Sequence, residues 1–204
     1  MSAILDVLCS ILMGGMLLMN VIDAQNLVAE DSSTYQGDAF VQELLITQVQ
    51  YIEGEFQNMG YGLSPGKQTI LAAGDSSIAF LCDVNRDGTM DTISYTLGPT
   101  SELAATQNEM DRYIHRQLNS EAPTSPAVVT YFHLTYITAT DDTLVTPVSA
   151  GDLGRIKEVE ISLEVQNPYA LYRPQGMVAA GQRNALYSTS YWQQTRLASQ
   201  NFRR

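Results

Sequence analysis

The 204-residue sequence predicts an α+β fold: a long N-terminal helix, apolar in its first half and amphipathic in its second, packed on an antiparallel β-sheet head. Three observations carry that reading. Residues 1–66 contain no Lys, Arg or His and open on an apolar stretch. Apolar residues then recur at three- and four-residue spacing, as on one face of a helix. Beyond residue 67 the period becomes two, the signature of half-buried strands.

The opening stretch sets the problem. Between Asp6 and Asp23 lie sixteen uncharged residues, Val7 to Ile22. As a helix they measure about 24 Å at ~1.5 Å per residue, slightly short of the ~30 Å hydrocarbon core. They leave no polar stripe, so the segment is too apolar for an ordinary surface helix. No basic n-region or small-residue cleavage site accompanies it, so the segment is expected to be retained. It must be buried in lipid, against a partner helix, or in each by turns. Gly14 and Gly15 each lower helix propensity by about 1 kcal/mol relative to Ala. They read as positions of close helix–helix approach, or as flaws tolerated in a membrane anchor. Asp6 heads the run, placed at a membrane interface or paired with an amine, since an unpaired carboxylate in an apolar bundle is costly.

The apolar helix is expected to reach about Ala29, with caps and breakers over Glu30–Asp38 and a second helix from Asp38. Val41, Leu44, Leu45, Ile52, Phe56 and Met59 form its apolar stripe, with Gln48 a polar lapse. Gly60-Tyr-Gly62 and Ser64-Pro-Gly66 end it. Three segments follow from this: an apolar helix over 1–30, an amphipathic helix over 31–66 and a β-rich head over 67–204. Within the head, Ile78, Phe80 and Cys82 alternate on one strand and Ile93, Tyr95 and Leu97 on the next, joined by a hairpin loop at Asp83–Asp91. Asp111–Leu118 reads as a strand, with a short helix across Ser101–His115 as the alternative. Val128–Ile137 reads as one strand. Val159, Ile161, Leu163 and Val165 alternate with Glu158, Glu160, Ser162 and Glu164, the cleanest half-buried strand in the chain. Asn167–Arg183 reads as loop and Ala185–Leu197 as the last strand.

Charge narrows the partners. Eight acids and no bases give residues 1–66 a net charge of −8, whereas 67–204 carry −3 of the total −11. Such an arm disfavours nucleic acid and anionic headgroups. It suits a basic surface on another copy, near Arg196, Arg203 and Arg204, or simply a solvated acidic face. Cys9 and Cys82 belong to no CxxC motif and are expected to act as small buried hydrophobes. His115 has Asp111 four places before it, and His133 has no acid or Cys close in sequence; neither belongs to a zinc ligand set. No GxSxG, P-loop, GxGxxG or metalloprotease helix occurs, and catalysis is not expected.

One loop has metal-ligand spacing. Asp83, Asn85, Asp87, Thr89 (through its carbonyl) and Asp91 stand at positions one, three, five, seven and nine of a calcium loop, with Gly88 at the turn. Ser94 takes the place of the usual bidentate Glu, so any Ca2+ affinity is expected to be weak. The alternative is an Asx-rich hairpin turn. No cofactor is otherwise required.

These features resemble a type IV pilin or type II secretion pseudopilin. Tyr51-Ile-Glu-Gly-Glu-Phe-Gln-Asn-Met-Gly-Tyr-Gly62 is similar to the helix end of PilW-type minor pilins. Ala79–Leu97 resembles their Asp-rich hairpin, with Asn85 for the middle Asp. Ile156-Lys-Glu-Val-Glu-Ile-Ser-Leu163 and Thr195-Arg-Leu197 resemble their late strands, in order. The resemblance implies a structural subunit that sits in the inner membrane and then polymerises, through its apolar helix and with assembly machinery, into an extracellular filament of many copies. It also implies that Asp6 neutralises a neighbour's N-terminal amine, the acid standing at position five when Ser2 leads the processed chain. The Gly-Phe-Thr-Leu-Ile-Glu cleavage signature of that family is absent. A low-copy minor pilin or pseudopilin that initiates or caps a filament is the alternative. A membrane-tethered calcium-dependent binding module is a third reading, for which the sequence offers no aromatic sugar-binding platform. Tyr187, Tyr191 and Trp192 are the one dense aromatic cluster, read as strand core or subunit contact.

Overall fold

The computed structural model describes residues 2–64, 66–106, 108–166, 171–172, 186–187 and 190–198, with the backbone alone at 2, 30, 33–34, 171–172, 186–187 and 190. Residues 1–40 and 41–204 form two compact units. The fold is α+β, with an N-terminal helix followed by antiparallel sheets.

Helix α1 runs without interruption from Ser2 to Gln57, 56 residues. The expected break over Glu30–Asp38 does not occur. The cap-forming residues there are absorbed into the helix, and the Ser32 hydroxyl accepts a hydrogen bond from Gln36 Nε2 at 3.2 Å. Without a Pro, Gly37 alone costs only about 1 kcal/mol, too little to stop a helix. The unit boundary accordingly falls after Phe40, inside the helix rather than at residue 30.

From Val41 onward α1 is amphipathic. Val41, Leu45, Val49, Ile52 and Phe56 are buried, as is Met59 just beyond the helix. Leu44 is only half-buried, and Val49 takes the place expected for it. Gln48 lies on the same buried stripe, its Oε1 without a hydrogen-bond partner among the described residues.

Eleven strands follow among the described residues. A five-stranded sheet has the order β1 (Ile70–Ala73), β2 (Ser77–Cys82), β3 (Asp91–Leu97), β4 (Arg112–Leu118), β5 (Thr124–Val129). A four-stranded sheet has the order β11 (Ser190–Leu197), β8 (Ile156–Gln166), β6 (Tyr131–Thr138), β7 (Thr143–Leu144). β9 (Leu171–Tyr172) and β10 (Leu186–Tyr187) pair with each other. Most of the expected Asn167–Arg183 loop lies outside the described residues.

Among the strands, one expectation is corrected. Val128–Ile137 is two strands in different sheets, because Thr130 leaves the first ladder and gives its N–H to Glu164 O at 2.9 Å. The expected Asp111–Leu118 strand is present as Arg112–Leu118, and its helical alternative across Ser101–His115 meets, among the described residues, a 3-10 turn at Thr100–Leu103. Of the expected strand Ala185–Leu197, the described residues form Leu186–Tyr187, paired with β9, and Ser190–Leu197, paired with β8.

One core joins helix and sheets. Phe56 meets the rings of Phe80 and Tyr95 at 5.4 and 5.5 Å between centroids. Val49 and Ile52 face Ile161 and Leu163 of β8. The sheets are fastened to each other where Tyr136 donates its hydroxyl to Gly74 O at 2.9 Å and Leu134 N–H binds Asp75 O at 2.8 Å.

Candidate functional site

The apolar arm is a 27-residue stretch, Ala3–Ala29, of mean hydropathy 2.0, long and apolar enough to cross a membrane and nowhere buried within the chain. Asp6 is exposed at its head, its backbone carbonyl accepting a hydrogen bond from Ser10 Oγ at 2.7 Å. A Cβ added at Gly14 or Gly15 would meet nothing within 4 Å, so both surfaces are open to a neighbouring helix. Cys9, expected to be buried, is exposed here because its whole segment lacks cover in the single chain. Cys82 is buried, and burial, aided by the nearby Glu55 charge, pushes its thiol up to about 11.

The Asp83–Asp91 loop joins β2 to β3 as expected. Asp83 receives the N–H groups of Asp87 and Gly88 at 3.1 and 3.0 Å. Asn85 Oδ1 receives Asp87 N–H at 3.0 Å, and its amide donates to Asp87 Oδ2 at 2.7 Å. Asp87 Oδ1 accepts both the hydroxyl and the N–H of Thr89, which hold its carboxyl below the usual range. Asp91 is held by Val84 N–H at 3.2 Å and by Asn119 Nδ2 at 2.8 Å. Gly88 takes φ +87°, the left-handed conformation the turn requires. The side chains thus close an Asx-rich turn. Among the described residues no three His, Cys, Asp or Glu side chains converge as a metal cluster. A calcium ion here would share these oxygens with the N–H groups and would lack a bidentate Glu. Calorimetric titration with calcium is therefore expected to give a Kd no tighter than about 10⁻⁴ M. Submicromolar binding that vanishes in Asp87→Ala would mean another residue completes the shell.

No family model, curated protein or solved structure matches this chain.

A second polar cluster was not legible in the sequence. Glu55, in the last turn of α1, accepts Arg116 Nε at 2.9 Å and Arg116 Nη2 at 2.6 Å. The Tyr95 hydroxyl donates to its other oxygen. The two charged side chains retain only 17% and 13% of their exposure, so the pair is largely removed from water. The Glu55 bond, more than the opposing burial, raises the already high Arg116 pKa; burial first, then Glu55, raises that of Tyr95. Glu55 was visible as an acid between Ile52 and Phe56. Its partners were not, since both come from strands far along the chain.

The histidines have partners of their own, though none from the acid four places away in sequence. His115 Nε2 lies 2.7 Å from Glu102 and Nδ1 lies 2.9 Å from Ser125 Oγ. A Cβ at Gly98 would fall 2.6 Å from Glu102 Oε2 and 2.7 Å from His115 Nε2, so glycine is what lets this pair form. His133 Nδ1 lies 3.0 Å from Asp75. Arg196, expected near a basic surface for another copy, is engaged within the head by Asp141 and Glu158. Arg203 and Arg204 lie outside the described residues. Trp192, read as core or subunit contact, is exposed, while Tyr191 packs against the core.

Proposed function

We propose that the chain is a structural subunit of a type IV pilin-like filament, held in the inner membrane by its apolar helix before assembly and polymerising through that helix outside the cell. The observation that carries this reading is the uncovered Ala3–Ala29 stretch, continuous in the same helix with residues that enter a folded core. An apolar helix without cover in its own chain needs lipid or other copies of itself. The order of motifs along the head agrees with the same family, and the open surfaces of Gly14 and Gly15 suit close helix contact.

Electron microscopy of material sheared from cells, with mass spectrometry of the subunit N-terminus, tests the proposal directly. Filaments containing this chain are the expected result; a protein found only as dispersed membrane monomers would overturn it. Asp6→Ala is expected to cut filament yield while the head melts unchanged, because the carboxylate would need a neighbour's amine only in the assembled bundle. Normal yield from that variant removes Asp6 from the mechanism.

A further inference from the structure

Strands β4 and β5 slip out of register at one place, and the slip brings three side chains into line. Ile114 pairs with Ala127 and Arg116 with Thr124, so His115 stands opposite two residues, Ser125 and Pro126. A bulge of this kind re-aims the side chains beside it. Ser125 Oγ lies 2.9 Å from His115 Nδ1. On the other side of the ring, Glu102 Oε2 from the 3-10 turn at Thr100–Leu103 lies 2.7 Å from Nε2. β5 is the last strand of its sheet and Ser125 is exposed, so its hydroxyl can be reached from solvent.

An ionised carboxylate only accepts hydrogen bonds, so Nε2 carries the proton that faces Glu102. In the neutral ring Nδ1 then keeps its lone pair and accepts the Ser125 hydroxyl. A hydroxyl bonded to a base that is itself oriented by an acid is the arrangement that activates serine as a nucleophile. Gly98 makes room for it. Its φ is not in the left-handed region, so glycine is required there for space, since any Cβ would crowd both Glu102 Oε2 and His115 Nε2. A bulge, a space-giving glycine and two hydrogen bonds from separate elements thus converge on one imidazole.

We propose that Ser125 accepts an acyl group from an activated ester or thioester, with His115 as its general base and Glu102 as a positioning residue. The Oγ proton passes to His115 Nδ1 as the bond from Oγ to the carbonyl carbon forms. The bond from that carbon to the leaving oxygen or sulfur then breaks, and the leaving group takes the proton from the imidazolium. The ring ends neutral, and the acyl group stays on Ser125 as an oxygen ester. The hydroxyl stands on an open surface, which suits a small acyl group on a good leaving group. The site is complete in one copy and goes beyond the filament reading, on which it does not depend.

The full chain, in detergent micelles, would be treated with p-nitrophenyl acetate and, separately, with the acetyl thioester of N-acetylcysteamine. Fragment-ion mass spectrometry would follow acetylation at each serine over time. Ser120 is also exposed and serves as an internal reference. Ser125 is expected to acetylate about a hundredfold faster than Ser120 with at least one donor, the lower end of what a positioned base contributes. His115→Gln is expected to abolish that excess. Glu102→Ala is expected to reduce it by a smaller factor, with part restored by added formate, a recovery that a merely structural role would not show. Circular dichroism checks that each variant is folded. Ser125 acetylated no faster than Ser120 by either donor overturns the proposal. So does an excess that survives in folded His115→Gln, which would leave the three side chains as a fastening of β5 to its neighbours.

Discussion

A chain lacking residues 1–28 is expected to be a folded, soluble monomer that neither enters membranes nor joins filaments. Fifteen large apolar side chains between Ile4 and Val28 stand exposed in the single chain. Full burial of each contributes about 1.5–3 kcal/mol, so together they represent tens of kcal/mol of association free energy. That exceeds the ~5–15 kcal/mol by which a domain is usually stable. None of it supports the core, whose first member is Val41. Truncation therefore removes the force for assembly and leaves the fold. Light scattering after size exclusion, vesicle flotation and a thermal melt check the three parts of this expectation. A truncated chain that aggregates, floats with vesicles or fails to melt cooperatively would show that the arm and the head are not separable in this way.

The second large effect is expected at Glu55. Glu55→Ala leaves the Arg116 guanidinium and the Tyr95 hydroxyl without their shared acceptor beneath the end of α1. Breaking a largely buried pair by removing one partner costs about 3–5 kcal/mol, because the remaining charge stays desolvated. For a domain of this size that corresponds to a melting temperature lower by about 10 °C. Removing both charges together, in Glu55→Leu with Arg116→Met, is expected to recover much of the loss, since apolar groups of similar volume need no desolvated partner. Tyr95→Phe removes a single hydrogen bond and is expected to cost about 1–2 kcal/mol. Thermal melts of Glu55→Leu, Arg116→Met, the double variant and the unchanged chain form a double-mutant cycle, with Tyr95→Phe as a control. Equal losses in the single and double charge variants would mean that packing of the methylenes, not the pairing, is what matters there.

Local pattern foretold the elements whose burial alternates along the chain. β8 is legible because Val159, Ile161, Leu163 and Val165 all face the core, and the same holds for β2 and β3 with their joining loop. The buried stripe from Val41 to Met59 was legible too, apart from the exchange of Leu44 for Val49. The continuity of α1 was not. Ser, Thr, Asp and Gly over residues 30–38 signal a boundary in water, yet each is tolerated within a helix that is already propagating. The division at Thr130 was also hidden, because its cause is a carbonyl of Glu164 on another strand. Site residues divide in the same way. Asp6, Gly14, Gly15 and the Asp83–Asp91 loop are local signals that the sequence alone puts forward as candidates. The Glu55–Arg116–Tyr95 cluster exists only because strand register sets Tyr95 beside Arg116 and α1 packs Glu55 onto them, which no local pattern encodes.

Helix α1 has no basic side chain in its last turn, although a helix C-terminus is the negative pole of its macrodipole. Glu53 and Glu55 add two more negative charges near that pole, an unfavourable arrangement. On its own, then, the end of the helix frays. Arg116 reverses this from β4, bringing to the pole the positive charge that the helix lacks. The closing turn therefore becomes stable when β3 and β4 have paired beneath it. Helix propagation and sheet formation are tied at this point, so the α1 C-terminus is expected to gain amide-exchange protection together with β4 rather than ahead of it.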